Sequence, residues 1–351
     1  MEPGILLLED GTVWEGISVG AKAQAAGTAV FFTGVVGYQE LLTDPASCGI
    51  IPVMTYPHIG NCGITDEGMR SERSWCNAMI AKEFSRIASN WQAKESLREF
   101  AVNNGIVLLS GVDTQGVAKH LRVHGAQAAV VAAGMTDAAA LRVKIVRSQP
   151  KLAEVSCAQE KVFSPRAEAR LSVVVVDCGL RNDCLAPLLE RGCALTVVPW
   201  NTPAGEILAR RPHGALFSSG PENPNELPEL AATAAALLGN LPLWGIGLGS
   251  HILACALGGG FSEMKCGHFG LNQAVRHLAA GRCLSTSQAH RFSLAPEFRT
   301  PGVEVTHTNL TDGTVEGFRH EKLRVLGTQY YPDPRDAVYD EFVRMLNAQA
   351  N

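Results

Sequence analysis

The residues best placed for chemistry lie in L-P-L-W-G-I-G-L-G-S-H-I-L-A, residues 241–254. An apolar run of strand character (241–246) passes straight into a helical pattern, with Gly247 at the corner. This is the shape of a nucleophile elbow, where a Ser or Cys is held exposed on a strained turn above a helix N-terminus for attack on a carbonyl. Here the corner residue has no side chain. Other glycine-rich chemistries fit less well. A dinucleotide fingerprint needs G-x-G-x-x-G, whereas 245–250 reads G-I-G-L-G-S. A phosphate loop needs G-K-S or G-K-T, and neither occurs there. Close passage of backbone past backbone is the plainer reading of these glycines.

The ten cysteines, at 48, 62, 76, 157, 178, 184, 193, 255, 266 and 283, offer no C-x-x-C pair, so a zinc knuckle or thioredoxin-like site is not expected. The start M-E-P-G-I-L-L-L-E-D-G lacks a basic n-region and a long apolar h-region, which points to a cytoplasmic, reduced setting with thiols packed as small apolar groups. A net charge of −4, from 30 Lys plus Arg against 34 Asp plus Glu, gives no reason to expect nucleic acid or an anionic membrane as a partner. The uncharged stretch Leu230–Phe261 is long enough to span a bilayer, but Gly239-Asn240, Pro242 and the glycines at 245, 247 and 249 predict a helix, a turn, a strand and another helix instead.

The elements that position Gly247 belong to an alternating pattern. Length and a hydrophobic content of 46% predict an ordered protein of about two domains. Strands are expected at 5–8, after the turn E-D-G-T, at 28–33 and at 50–55. Helix formers are enriched at 72–100 and 114–124, so the first ~150 residues read as a mixed domain around a small sheet. Residues 155–170 have no period and read as a linker. Then come a continuous apolar strand (171–176), a helix (181–191) ended by Gly192, a strand (194–199), a helix (203–210), a strand (214–218), a helix (226–238), the strand 241–246 and a helix (250–258). That alternation predicts a doubly wound parallel α/β sheet, with ligands at the carboxyl ends of its strands.

Nearly end to end, the chain resembles the small, glutamine-amidotransferase subunit of carbamoyl-phosphate synthetase. The segments are L-L-L-E-D-G-T, G-Y-Q-E-L-L-T-D-P (37–45), T-Y-P-H-I-G-N (55–61), G-V-D-T (111–114), V-V-D-C-G-L-R-N (175–182), S-S-G-P-E-N-P (218–224), G-I-G-L-G-S-H (245–251), M-K-C-G-H-F-G-L-N (264–272) and T-D-G-T-V-E-G (311–317). The resemblance implies an N-terminal small-subunit domain (1–154), a linker shorter than usual for the family (155–170) and a class I glutamine-amidotransferase domain (171–351). In that family a Cys–His–Glu triad frees ammonia from glutamine, and the ammonia passes to a large ATP-using subunit.

Carried over residue by residue, the resemblance implies a degenerate site. The family's G-I-C-L-G-H-Q places its cysteine at Gly247, its next His at Ser250 and its glutamine-contacting Gln at His251. Its Q-G-H-P-E appears as Q-Y-Y-P-D (329–333), which puts Tyr331 at the catalytic His and Asp333 at the Glu. Glu222 stands for a glycine beside the oxyanion. Ala289 and Arg291 replace residues that hold glutamine, and Ala46 replaces a serine. Gly220, Leu248 and Phe292 are the remaining glutamine-pocket positions. Gly247 offers no thiol, and a tyrosine, with a reference pKa near 10, is a poor general base. Cys255, inside the helix, and Cys266 are expected to pack. Glu222, His251, His290, Arg291, Tyr331 and Asp333 could gather in one cleft, where a metal or an anionic effector held by Arg291 are alternatives to a relic polar surface. They have no local ligand spacing, and no metal is expected. Three functions follow as expectations: a non-hydrolytic scaffold or regulator on a large ATP-grasp subunit, an active glutaminase, or a repurposed cleft. No cofactor is expected in this chain, and ATP and Mg are expected on the partner.

Overall fold

The strand Glu2–Leu8 is buried without interruption from Gly4 onward, because consecutive side chains leave on opposite faces and both faces are covered. Leu6 and Leu8 join one core cluster with Val131 and Leu109; Ile5 and Leu7 join another with Val130 and Leu141. The computed structural model containing this strand describes residues 2–134, 137–145, 151–222, 226–295, 298 and 300–350. It divides into two compact units, Met1–Gln149 with Met264–Asn272, and Pro150–Glu263 with Gln273–Asn351.

In the first unit the small sheet is closed. Its seven strands run Glu2–Leu8, Val13–Ser18, Val107–Ser110, Ala78–Ile80, Ile50–Met54, Gln24–Phe32 and Gln127–Ala133, and the last pairs back to the first with Leu6 opposite Val131. Closure removes the free edges a small sheet would present. The helix expected at 114–124 is Thr114–His124, capped by the Asp113 side chain accepting from the Gly116 N–H. The helix-former enrichment at 72–100 did not make a long helix. It holds the strands Ala78–Ile80 and Glu83–Phe84 and only the start of Leu97–Asn103. Serine hydroxyls offer the reason: Ser71 donates to Arg73 O, Ser74 to Cys76 O, and Ser85 to Ile87 O, each two residues along the chain. Such local side-chain bonds compete with the helical ladder.

The second unit carries a ten-stranded sheet. Five strands are parallel, in the spatial order Cys193–Pro199, Leu171–Asp177, Gly214–Phe217, Leu243–Ile246, Val325–Thr328. The order reverses beside the first of them in sequence, Leu171–Asp177, as expected of a doubly wound sheet. Antiparallel strands Val315–His320, Val303–Asn309, Phe261–His277 and Cys283–Leu294 extend it. This extension carries no α/β alternation and was not foreseen. Four of the five parallel strands and the helices between them were expected; Val325–Thr328 was not, and 181–191 breaks into a turn at Asn182–Cys184 and a short helix Ala186–Glu190 around Pro187. Leu230–Phe261 resolves into the expected pieces, with helices Leu227–Leu237 and Leu248–Ala256 flanking the strand. Among the described residues no helix is long and apolar enough to cross a membrane.

The stretch 155–170, expected to be a linker, contains an edge strand. Lys161–Phe163 pairs antiparallel with Leu195–Val197, and the Cys157 N–H donates to Asp177 Oδ2 at 2.8 Å. Three partly exposed residues leave too short a pattern to read. The core of this unit centres on Trp244, fully buried, with Tyr339 edge-on at 5.0 Å and Phe342 at 5.4 Å. Tyr339, Phe342 and Leu346 line one stripe of the helix Ala337–Ala350.

Candidate functional site

At the carboxyl end of Leu243–Ile246 the chain turns through Gly247 at φ 55°, ψ −115° and enters the helix Leu248–Ala256. The Gly247 N–H donates to Thr328 O at 2.8 Å, and its carbonyl accepts from the Ser250 N–H at 2.9 Å and the Ser250 hydroxyl at 2.7 Å. The turn is therefore held at both ends by bonds that need no side chain at the corner. The flanking glycines are steric necessities. A Cβ on Gly245 would lie 2.2 Å from Gly249 O, and one on Gly249 would lie 2.0 Å from Phe217 O. Gly247 is different: its Cβ would meet nothing nearer than Ser219 Cβ at 3.2 Å. The corner has room for a side chain after a small shift, but at a positive φ that costs about 1–3 kcal/mol for any residue other than glycine. Close backbone passage thus accounts for Gly245 and Gly249, and the elbow shape accounts for Gly247.

Beside the elbow runs the loop after Gly214–Phe217. Gly220 is packed so closely that a Cβ would fall 1.8 Å from Cys178 O, and Leu248 lies against it. Asn223 and Pro224 of the S-S-G-P-E-N-P motif lie outside the described residues. Glu222 turns inward. Its Oε2 accepts from two successive backbone donors, Arg291 N–H at 2.6 Å and Phe292 N–H at 3.0 Å. Its Oε1 stands 3.3 Å from His251 Nδ1, without hydrogen-bond alignment. Burial pushes the Glu222 carboxyl up to about 7, against the pull of those two N–H groups and the Arg291 charge. His251, 0% exposed, is pushed down to about 4 by the same burial and is neutral. Neither His251 nitrogen has a hydrogen-bond partner among the described residues, nor does Gln329 Nε2. Phe261 stacks on the His251 ring at 5.7 Å and meets Phe292 edge-on at 5.6 Å. Arg291 Nη1 lies 3.7 Å from Glu263.

The other expected site residues have surroundings of their own. Tyr331 is buried in the apolar core cluster, with Ala289 packed against that cluster and the Arg181 guanidinium 3.9 Å above the Tyr331 ring. Arg181 is itself fixed by Asp183 at 2.6 and 2.9 Å. Asp333 is exposed and paired with Arg335 at 3.0 Å, which lowers its carboxyl below the usual range. His290 places Nδ1 2.8 Å from Phe292 O and Nε2 3.0 Å from Gln288 Oε1, so it is spent on the strand it belongs to. Ala46 lies in the first unit, its N–H donating to Asp44 at 2.9 Å in the turn Pro45–Ser47. The expected six-residue polar gathering is thus reduced to Glu222, His251 and Arg291.

No thiol stands in for the missing one. None of the ten cysteines is joined in a disulfide. Cys255 is half-buried in the elbow helix, its thiol raised by burial. Cys266, in the first unit, directs its sulfur at Leu121 O (3.8 Å) and Arg122 O (3.9 Å). Cys178 adjoins Gly220 through its backbone, but its thiol is wholly buried and held far above the usual range by burial, Asp177 and Glu226. A thiol kept protonated is not a nucleophile. Sequence reasoning missed Phe261, Arg181 and Gln329, because a stacking roof, a guanidinium on an aromatic face and an unpaired amide leave no local spacing.

Residues 6–131 match the family model described as carbamoyl-phosphate synthase small chain, CPSase domain, and residues 174–343 match that of glutamine amidotransferase class-I. The carbamoyl phosphate synthase small chain of Symbiobacterium thermophilum is 39% identical over 98% of this chain and 98% of its own. That of Lactococcus lactis subsp. cremoris is 35% identical over 99% of both. The pyrimidine-specific small chain of Lactiplantibacillus plantarum is 37% identical over 98% of this chain and 96% of its own.

Proposed function

The chain belongs to the carbamoyl phosphate synthase small chain family, and we propose that within it this protein is a non-hydrolytic subunit, a scaffold or regulator of a large ATP-using partner. The observation that carries this reading is the intact elbow with glycine at its corner. Amide hydrolysis through a covalent intermediate needs a nucleophile and a base in reach of it. The corner has neither: Tyr331 is a core aromatic beneath Arg181, and Asp333 faces solvent with Arg335. In a comparable triad enzyme, loss of the whole unit costs on the order of 10⁶-fold in rate. Glu222 opposes the reaction too, since its buried side chain fills space beside the elbow helix and takes the Arg291 and Phe292 N–H donors for itself.

The partner inferred from the relatives' names is a large carbamoyl phosphate synthase subunit of ATP-grasp type, with ATP and Mg bound there. It would draw on free ammonia or another nucleophile. Near-complete coverage of proteins named carbamoyl phosphate synthase small chain supports a retained docking role. The test is to purify the complex from its native host by a tag on this chain, identify the partner by mass spectrometry, and measure ammonia release from glutamine by the complex and by the chain alone. The expected result is a stable large-subunit complex, ATP turnover supported by ammonium salts, and no ammonia from glutamine. Appreciable glutamine turnover would overturn the reading and return the chain to the active glutaminases; absence of any large partner would favour a free-standing protein.

A further inference from the structure

The elbow's surroundings contain a recognition site that the chain fills with its own side chain. We propose that Glu222 is an internal plug: its carboxylate occupies a pocket built to bind a carboxylate, and that pocket, once vacated, takes a small free carboxylate. This deepens the non-hydrolytic reading of the same site and rests on it.

Two consecutive N–H groups, of Arg291 and Phe292, converge on one oxygen of Glu222 at 2.6 and 3.0 Å. Successive main-chain donors aimed at one point form an anion-binding concavity. They lie on Cys283–Leu294, the outermost strand of its sheet. The Arg291 side chain adds positive charge, and the aromatic rings of Phe261 and Phe292 exclude water. The two ends of Glu222 are treated unequally. Oε2 is fully engaged, while Oε1 faces the neutral, unpartnered ring of His251 with no aligned bond. Oε1 and both His251 nitrogens are buried without an aligned hydrogen bond, at about 1–3 kcal/mol for each such group, so the grip of the two main-chain donors on Oε2 is the interaction that seats the Glu222 side chain.

The test is chemical rescue in the full chain. Glu222→Ala vacates the pocket. Glu222→Gln keeps an acceptor oxygen at the same place and stays plugged. Thermal melts are run against acetate, with chloride at equal ionic strength. For E222A the Tm should rise saturably, by roughly 3–6 °C at an acetate concentration tenfold above Kd. Wild type and E222Q should not respond. A folded E222A blind to acetate, or an equal response in all three proteins, overturns the proposal. Should E222A fail to fold, the wild-type chain gives a second readout by amide NMR. The Arg291 and Phe292 N–H protons should move downfield together as the carboxyl ionises near pH 7, and E222Q should abolish the movement. The groups facing Glu222 are His251 from the elbow helix, Arg291 from its own strand and Glu263 beyond it. Static amide signals refute the plug. Glutamine turnover by the wild-type complex would sink the non-hydrolytic reading while leaving the acetate result untouched, so the two failures are separable.

Discussion

Replacing Glu222 by Gln should change how stability depends on pH, in a direction opposite to that seen for most carboxylates. Burial raises this carboxyl from 4.5 to about 7, so the folded chain holds a proton across that window while the unfolded chain has released it. Stability therefore falls as pH rises from about 4.5 to 7, and is constant above. The shift of about 2.5 units corresponds to about 3 kcal/mol at a fully buried site, where solvent does not screen it. His251 works the other way. Its pKa falls from 6.5 to about 4, so the unfolded chain takes up a proton that the folded chain refuses, and stability falls as pH drops through that window. Between about 4.5 and 6.5 the two slopes cancel. The cancellation does not depend on which of the pair carries the shared proton, since only the number bound enters the linkage. The wild-type contribution from this site is thus flat there, and each single substitution exposes the other residue. E222Q should gain on wild type by about 3 kcal/mol between pH 4.5 and 7.5, and it should itself weaken on acidification below 6.5. His251→Leu should show the reverse, weakening as pH rises from 4.5 to 7. Urea melts at four pH values between 4.5 and 7.5, followed by fluorescence, measure these differences. Parallel pH curves for wild type and E222Q would refute the reasoning, because they would mean that Glu222 ionises in the fold as it does in water.

Two further outcomes follow from the elbow and its thiols. Gly247→Cys should fold with a loss of about 1–3 kcal/mol and remain without ammonia release from glutamine, whereas Gly249→Ala, with its Cβ forced to 2.0 Å from Phe217 O, should lose far more or fail to fold; thermal melts and an ammonia assay separate the cases, and a G249A as stable as G247C would show that the glycines are interchangeable. In native protein, Cys283, the exposed cysteine, should be alkylated first, and Cys178 should resist alkylation until the unit unfolds; rapid labelling of Cys178, read by peptide mass spectrometry, would contradict its burial.

How much of this was legible in the residues depended on the length of each pattern. L-S-V-V-V-V and the strand ending at Gly247 announced a buried parallel sheet, because a strand covered on both faces must be apolar at every position. Lys161–Phe163 did not announce itself, since three residues at an edge carry no period. The antiparallel extension was hidden for a different reason: Phe261–His277 mixes charged and apolar residues along its length, and its burial is irregular. In the site, identity was readable and orientation was not. The sequence has a glutamate at 222 and a tyrosine at 331. Only the fold shows that the first turns inward onto two backbone donors while the second packs into the core cluster beneath Arg181.

The replacements at the elbow also fit one another, which is more than the loss of a nucleophile requires. A cysteine deleted from a working pocket would leave substrate-facing donors unpaired, at about 1–3 kcal/mol for each one buried. Here the Arg291 and Phe292 donors are taken by Glu222, the position of the base is occupied by an aromatic ring packed under Arg181, and the acid is paired with Arg335 in solvent. Glycine at 247 relieves the strain that a positive φ imposes on any other residue, so the turn persists at no backbone cost. Each change makes sense if the pocket must stand closed and stable without substrate. What the elbow still does is mechanical: through Gly245 and Gly249 it seats the helix Leu248–Ala256 directly on the central strands, at contact distances that no side chain permits. A fold whose centre depends on that seating keeps the elbow whether or not the elbow catalyses, and this is why the shape outlasts the chemistry.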